Sequence, residues 1–357
     1  MMFRTLLDNC FMANLFTSLP TPATLKKQLP LLKKETVTLS FFRKTSTKIL
    51  NRKERKIALI VGPCSIHDPQ LALEYAHCLK ALSVRVKKRI FIVMRVFLEK
   101  PRTHLGWKGF VYDPLLDGSY AMEKGLHASR KLLLALAQMG IPVATEFLDP
   151  IVSRYTEDLI TWGIIGARTA ASPIHRQMAA QLSMPIGFKN EMDGSIASSI
   201  YAALVARYPQ TSIGIDEKGE VCTIQTCGNP HTHLILRGSQ TRSNYDPVSI
   251  DETMQAQHTH GLDAPLLIDC AHGNSQKDPN KQPLVFQSVI EQIMEGNGKI
   301  AGMLLESHLK GGRDLSLTDP CLDWKLTEAL ILWAYHLLEK REENGPSIKA
   351  KRCQRAL

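Results

Sequence analysis

The chain has 357 residues, 44% apolar and 22% charged, enough to bury a large core as two ordinary domains or as one α/β barrel with appendages. No Pro-, Ser- or Gly-rich tract marks a disordered or fibrous region, and the eight cysteines (10, 64, 78, 222, 227, 270, 321 and 353) form neither a C-x-x-C pair nor a disulfide framework, which fits a reduced, cytoplasmic protein. Much of the net charge of +10 sits near the ends, in runs such as Lys26, Lys27, Lys33, Lys34 and Lys349, Lys351, Arg352, Arg355; these read as solvated surface, so nucleic-acid binding is disfavoured.

In chain order, the apolar stretch Leu6 to Leu19 is broken by Asp8, Asn9 and Asn14 and is too short for a membrane span, so nothing is placed in a membrane. Residues 1–50 read as an N-terminal extension, an oligomer or regulatory arm. From residue 57 short β-branched runs alternate with helix-periodic segments. Strands are expected at Ile57 to Pro63, Ile90 to Phe97, Pro142 to Leu148, Ile164 to Thr169, Pro185 to Lys189, His233 to Gly238, Pro265 to Ala271 and Ile300 to Glu306. Helices fall between them, as in Glu123 to Met139, with Leu126, Arg130, Leu133, Leu134 and Ala137 on one stripe, and in Ile196 to Tyr208. Before the sixth strand, two alternating runs around Lys218-Gly219 predict a β-hairpin insert over 211–226. Eight parallel-type strands predict a closed (β/α)8 barrel over 51–342, followed by a basic tail, 343–357. A doubly wound sheet is the alternative, but no G-x-G-x-x-G follows the first strand.

A barrel carries its chemistry at the C-terminal ends of the strands. Those ends present Gly62, Pro63 and Cys64, then Arg95, Glu146, Arg168, Lys189, Arg237, His272 and Glu306. Strand ends are solvated, so two or three charges there would mean little; eight of eight is a pattern. One set is cationic: Arg95, Lys100, Arg102, Arg168, Lys189 and Arg237. Six like charges in one bowl repel unless anions neutralise them, and the arginine fork matches phosphate and carboxylate. Gly166 and Ala167 can add backbone N–H donors. The other set is Cys64, His272 and Glu306, with Asp319 in the following loop. Thiolate, imidazole and carboxylate suit one divalent Mn, Fe, Co or Zn ion rather than Mg or Ca. The bland readings are a buried thiol, a core histidine and a solvated glutamate. His231 with His233, and His258 with His260, read as solvent-facing, Cys222 and Cys227 as inert thiols, and Trp324 and Trp333 as core or interface anchors.

The strings GPCSIHDP (62–69), MRVFLEKPRTHLGWKGF (94–110), EFLDP (146–150), GAR (166–168), GFKN (187–190), ILRG (235–238), HGNS (272–275), ESHL (306–309) and TDPC (318–321) together resemble the type I 3-deoxy-D-arabino-heptulosonate 7-phosphate (DAHP) synthases, in order, over roughly residues 17–340. The resemblance implies condensation of phosphoenolpyruvate with erythrose 4-phosphate and water, the first step of the shikimate pathway to aromatic amino acids. It implies metal ligation by Cys64, His272, Glu306 and Asp319. It implies that Arg95, Lys100, Glu146, Ala167, Arg168, Lys189 and Arg237 surround phosphoenolpyruvate, and that Lys100, Pro101, Arg102 and Thr103 receive the aldose phosphate. Among these, Lys100, Glu146, Cys64 and His272 would be catalytic.

The chain departs from the family pattern at Ala170 and Ala171, where Thr-Glu is usual, at Glu191 and Met192 for Gly-Thr, and at Ala271 for Ser; the loop from Glu306 to Asp319 is short. The resemblance also implies that the extension and the hairpin build a dimer or tetramer and an aromatic amino-acid effector site. Two alternatives stand beside it: a related synthase using arabinose 5-phosphate, and a non-catalytic basic nucleic-acid-binding protein.

Overall fold

The computed structural model describes residues 16–312 and 315–343. The basic tail after Glu343 and most of the apolar stretch before Leu19 therefore lie outside the described residues. The extension contributes α1 (Pro22–Gln28) and α2 (Lys33–Leu50). The main body then alternates β1 (Ile57–Gly62), α3 (Pro69–Val86), β2 (Ile90–Arg95), α4 (Met122–Gln138), β3 (Val143–Glu146), α5 (Pro150–Thr156), β4 (Trp162–Ile165), α6 (Pro173–Gln181), β5 (Ile186–Lys189) and α7 (Ala197–Val205). A two-stranded antiparallel hairpin, β6 (Gln210–Ile215) with β7 (Val221–Thr226), interrupts the alternation. It resumes with β8 (Thr232–Leu236), α8 (Pro247–Thr259), β9 (Leu266–Asp269), α9 (Gln282–Met294), β10 (Ile300–Glu306) and α10 (Trp324–Glu343). Eight parallel strands close in the order β1-β10-β9-β8-β5-β4-β3-β2, the predicted barrel with its hairpin insert before the sixth barrel strand.

Local chemistry explains where the elements begin and end. Helices α3, α5 and α8 each start at an Asp-Pro pair. The Asp68, Asp149 and Asp246 carboxylates accept from the first free backbone N–H groups, at 2.7 Å from Gln70, 2.7 Å from Ile151 and 3.0 Å from Ser249, and the following proline has no N–H to leave unpaired. Six strands stop one to four residues short of the expected ends, and two of them show why. Strand β4 ends at Ile165 because residues 166–170 turn back, with Thr169 and Ala170 N–H donating to the Gly166 carbonyl. Strand β9 ends at Asp269, whose own carboxylate takes the Ala271 N–H at 3.1 Å.

Inside the barrel, Ala58, Ile60, Val93, Ala144, Ile164, Ile235, Leu267 and Leu304 pack together, and Ile49 and Leu50 from the end of α2 join the same cluster. One expectation fails here. His233 was expected to face solvent but is fully buried, and Trp162 Nε1 donates to its Nε2 at 3.2 Å with the rings edge to face. Burial drives its pKa down to about 3, so the imidazole is neutral. A side chain at Gly187 would lie 2.4 Å from Ile235 Cδ1 and 2.8 Å from that nitrogen, so the space beside the imidazole requires a glycine on β5. His231 is half-buried, whereas His258 and His260 are exposed. Trp324 stacks edge to face on Tyr75, and both Trp324 and Trp333 pack on the core.

Besides burying Leu25, Leu39, Ile49 and Leu50 in the core, the extension is bound to the barrel by polar contacts. Buried Arg130 on α4 donates to the Leu29 carbonyl at 2.9 Å and grips Asp158 through two bonds of 2.8 Å. The Ala23 N–H donates to the Glu217 carbonyl at the hairpin turn, and Lys26 pairs with the Glu217 carboxylate at 2.9 Å.

Candidate active site

The strand ends open into one cavity of about 490 Å³. All six predicted cations line it, Arg95, Lys100, Arg102, Arg168, Lys189 and Arg237, together with Pro101, Thr103, Glu146, Ala167, His272 and Asp319. Cys64 and Glu306 are buried behind that lining, both almost inaccessible. Of the residues that replace the usual family pattern, Met192 lines the cavity and Glu191 does not.

Arg95 organises one wall. Its Nε donates to the Pro63 carbonyl at 3.0 Å, and its Nη2 donates to the Cys64 carbonyl at 3.1 Å and meets the Glu306 carboxylate at 2.7 Å. Burial would weaken the charged form, but Glu306 and Cys64 outweigh it and hold the guanidinium pKa above its ordinary value. Nη1 is buried with no protein partner. The guanidinium lies 3.6 Å from the Phe97 ring centre, and Lys100 and Lys189 lie 5.9 and 6.0 Å from it, so one aromatic ring has three cations around it. Lys100 Nζ donates to the Cys64 carbonyl at 3.0 Å and lies 3.5 Å from its sulfur. Arg168 Nε donates to the Thr103 hydroxyl at 2.7 Å, joining the loop after β4 to the loop after β2. The Arg237 backbone N–H is fixed by the Asn190 side-chain carbonyl at 2.7 Å, and burial lowers its guanidinium pKa.

The sulfur of Cys64 and carboxylate oxygens of Glu306 and Asp319 lie within 4.8 Å of one another. His272 is outside that trio, with its Nε2 3.7 Å from a Glu306 oxygen and its Nδ1 2.9 Å from Asp269. Burial opposes ionisation of Asp319, yet Lys277, His272 and Lys100 lower its pKa. One thiol, two converging carboxylates and an adjacent imidazole fit a borderline divalent ion.

Three contributors escaped the sequence reading. Asp269, fully buried, pairs with both Lys189 at 2.7 Å and His272 at 2.9 Å. Its own burial would raise its pKa, but His272 and Lys189 hold the carboxyl well below the usual range. Its signal was a lone acid closing the apolar run LLID, hidden because the strand was expected to continue to Ala271. Phe97 looked like an ordinary apolar strand residue. Glu99, buried beside Lys100, accepts from the Leu148 and Asp149 N–H groups at 3.2 and 3.1 Å and from the Tyr112 hydroxyl at 3.2 Å.

The DAHP synthetase I family profile matches residues 31–339. The chain belongs to the DAHP synthetase I family. It is 44% identical over 325 residues to the Tyr-sensitive phospho-2-dehydro-3-deoxyheptonate aldolase of Escherichia coli K12, covering 88% of this chain and 91% of the relative. It is 42% identical to the Trp-sensitive enzyme of Shigella flexneri, over 88% and 93% of the two chains. The structure of the phospho-2-dehydro-3-deoxyheptonate aldolase of Francisella tularensis superposes with a TM-score of 0.90 at 39% identity, covering 92% of this chain and 99% of that one. As a DAHP synthase, the chain is a metal-dependent transferase that forms a carbon–carbon bond between phosphoenolpyruvate and erythrose 4-phosphate, consuming water and releasing phosphate. The arabinose 5-phosphate and nucleic-acid readings are not supported by these relatives. No described helix is long and apolar enough to cross a membrane.

Proposed function

We propose that this DAHP synthase binds phosphoenolpyruvate against Arg95, Lys100, Glu146, Ala167, Arg168, Lys189 and Arg237, and the phosphate of erythrose 4-phosphate against Lys100, Pro101, Arg102 and Thr103. The observation that carries this reading is the convergence of six basic side chains on one cavity that also reaches His272 and Asp319. Two phosphate monoesters and one carboxylate bring about five negative charges at neutral pH, which six cations offset. The unpartnered buried Nη1 of Arg95 supports the same reading, since an anionic oxygen would satisfy it.

Cys64, His272, Glu306 and Asp319 would hold one Mn, Fe, Co or Zn ion, which supplies Lewis acidity toward the aldehyde oxygen. The chain's own groups do the rest. The arginines and Lys189 fix the enol phosphate so that its C3 faces the aldehyde carbon. Lys100, within reach of the thiol ligand and of both substrate loops, delivers the proton to the oxygen of the former aldehyde as the C–C bond forms. Glu146 steers a water onto C2, and the tetrahedral carbon then expels phosphate.

The extension (1–50) and the hairpin serve as an arm of the 51–342 barrel, binding an aromatic amino acid and joining chains into a dimer or tetramer. The ion pair between Lys26 and Glu217, the exposed Ile213 and Val221 on the hairpin, and the Tyr- and Trp-sensitive relatives support this. Free cysteines, Cys64 among them, suit the reducing cytoplasm.

The test follows the enolate absorbance of phosphoenolpyruvate with erythrose 4-phosphate or arabinose 5-phosphate, with and without EDTA, and with each aromatic amino acid. The reading expects consumption with the four-carbon sugar alone, lost in EDTA and restored by one of the four metals. Full turnover by an Arg168→Ala, Arg237→Ala double variant would sink the binding assignment. No inhibition by any aromatic amino acid would remove the effector.

A further inference from the structure

We propose that Asp269 is a positioning residue that selects the tautomer of His272 and the place of the Lys189 ammonium with one carboxylate, tying the metal end of the site to its phosphoenolpyruvate end. The inference rests on the ligand and substrate assignment just proposed. Asp269 is the last residue of β9 and is fully buried. Its Oδ1 is held by the Ala271 N–H at 3.1 Å, which fixes the carboxylate plane. Its Oδ2 meets two nitrogens, Lys189 Nζ at 2.7 Å and His272 Nδ1 at 2.9 Å, ion-pair contacts within hydrogen-bond distance whose angles are not aligned as hydrogen bonds. The backbone at His272 lies in the left-handed region, with φ of 57°, and so the ring folds back over Asp269 three residues earlier.

Neutral imidazole carries one N–H. Donated from Nδ1 to Asp269, it leaves the lone pair on Nε2, the nitrogen 3.7 Å from Glu306. A ring with its proton on Nε2 would present a donor to the cation and leave a buried carboxylate facing a second lone pair. Lys189 has the complementary need, because its side chain is 4% exposed and a buried ammonium requires an anion. A simple counter-ion for Lys189 would explain that contact but not the one with His272. The shared oxygen makes both ends of the site depend on residue 269.

Zinc affinity of the metal-stripped full-length protein, read by competition with a chromophoric chelator, and phosphoenolpyruvate affinity in EDTA, read by calorimetry, test this. Asp269→Asn keeps the size but turns one oxygen into a donor, and is expected to weaken zinc binding by about 10–100-fold and phosphoenolpyruvate binding by about tenfold or more. Lys189→Met is expected to lose phosphoenolpyruvate affinity while keeping zinc affinity, because the contact of His272 Nδ1 with Asp269 remains. Unchanged zinc affinity in Asp269→Asn overturns the proposal, and if Cys64→Ala has lost zinc in the same series the ligand assignment still stands. Wild-type zinc affinity in Cys64→Ala overturns both. Should Asp269→Asn not fold, nitrogen NMR of histidine-labelled, zinc-loaded wild type decides. A His272 signal, identified by its loss in His272→Gln, supports the proposal if Nδ1 is protonated and overturns it if the proton is on Nε2.

Discussion

Replacing His233 by glutamine isolates a titration buried at the heart of the barrel. Burial lowers the imidazole pKa from 6.5 to about 3 in the folded chain, whereas the unfolded chain titrates at the ordinary value. Between those values the unfolded state binds a proton that the folded state refuses. The contribution of this group to stability is therefore intact above pH 6.5 and is lost as pH falls toward 3. The full interval corresponds to a loss on the order of 5 kcal/mol, and the part between about pH 7 and pH 4 to roughly 3 kcal/mol. Glutamine can still accept from Trp162 Nε1 but cannot take up the proton. Urea unfolding of both proteins across that range gives the result as a difference, in which carboxylates and the other histidines cancel. The wild type should lose about 3 kcal/mol more than the variant. Parallel stability curves would show that the imidazole is hydrated or already protonated in the fold, and would refute the reasoning.

Glu99 provides the opposite sign. Burial raises its pKa to about 8, so the folded chain keeps a proton that the unfolded chain releases near pH 4.5, and its contribution to stability falls as pH rises from 4.5 to about 8. Glu99→Gln should flatten that decline in melting temperature between those limits. Cys64→Ala should bring the metal content of the purified protein, measured by elemental analysis, down to background while leaving the barrel's circular dichroism unchanged. Gly125→Ala places a methyl 2.0 Å from the Val111 carbonyl oxygen, in a contact that only backbone movement relieves, and should cost about 3 kcal/mol in urea unfolding despite alanine's better helix propensity.

The barrel was legible because its signals are local and repeated: β-branched runs at each strand, helix-periodic segments between them, and a Lys-Gly turn in the hairpin. The cationic ring was legible for the same reason, since a parallel barrel sends every strand end to one face. What escaped depended on side-chain direction within a strand. His233 looked polar and therefore exposed; its burial follows from pairing with a tryptophan on β4 and from the space that Gly187 leaves, neither of which its neighbours in sequence reveal. Asp269 and Phe97 escaped through the placing of a strand end, because two residues' difference decides which side chain sits against the cavity's cations. His272 was named as a ligand alongside Cys64, Glu306 and Asp319, and the structure adds that it reaches the trio from a carboxylate support instead of sitting within it.

Arg130 bears on how the extension can be altered. Its guanidinium is sealed in α4 and satisfied partly by a backbone carbonyl of Leu29, a residue outside the barrel. A carbonyl is present whatever side chain stands at residue 29, so substitutions along 20–32 leave this bond in place, whereas deletion of the segment strips a buried cation of an acceptor. The exposed positions of the N-terminal arm are thus permissive to mutation, unlike Pro22 and Leu25, which are buried, and the arm as a whole is intolerant of truncation. Without the arm, Arg130 would keep only Asp158 and the Tyr155 carbonyl as acceptors.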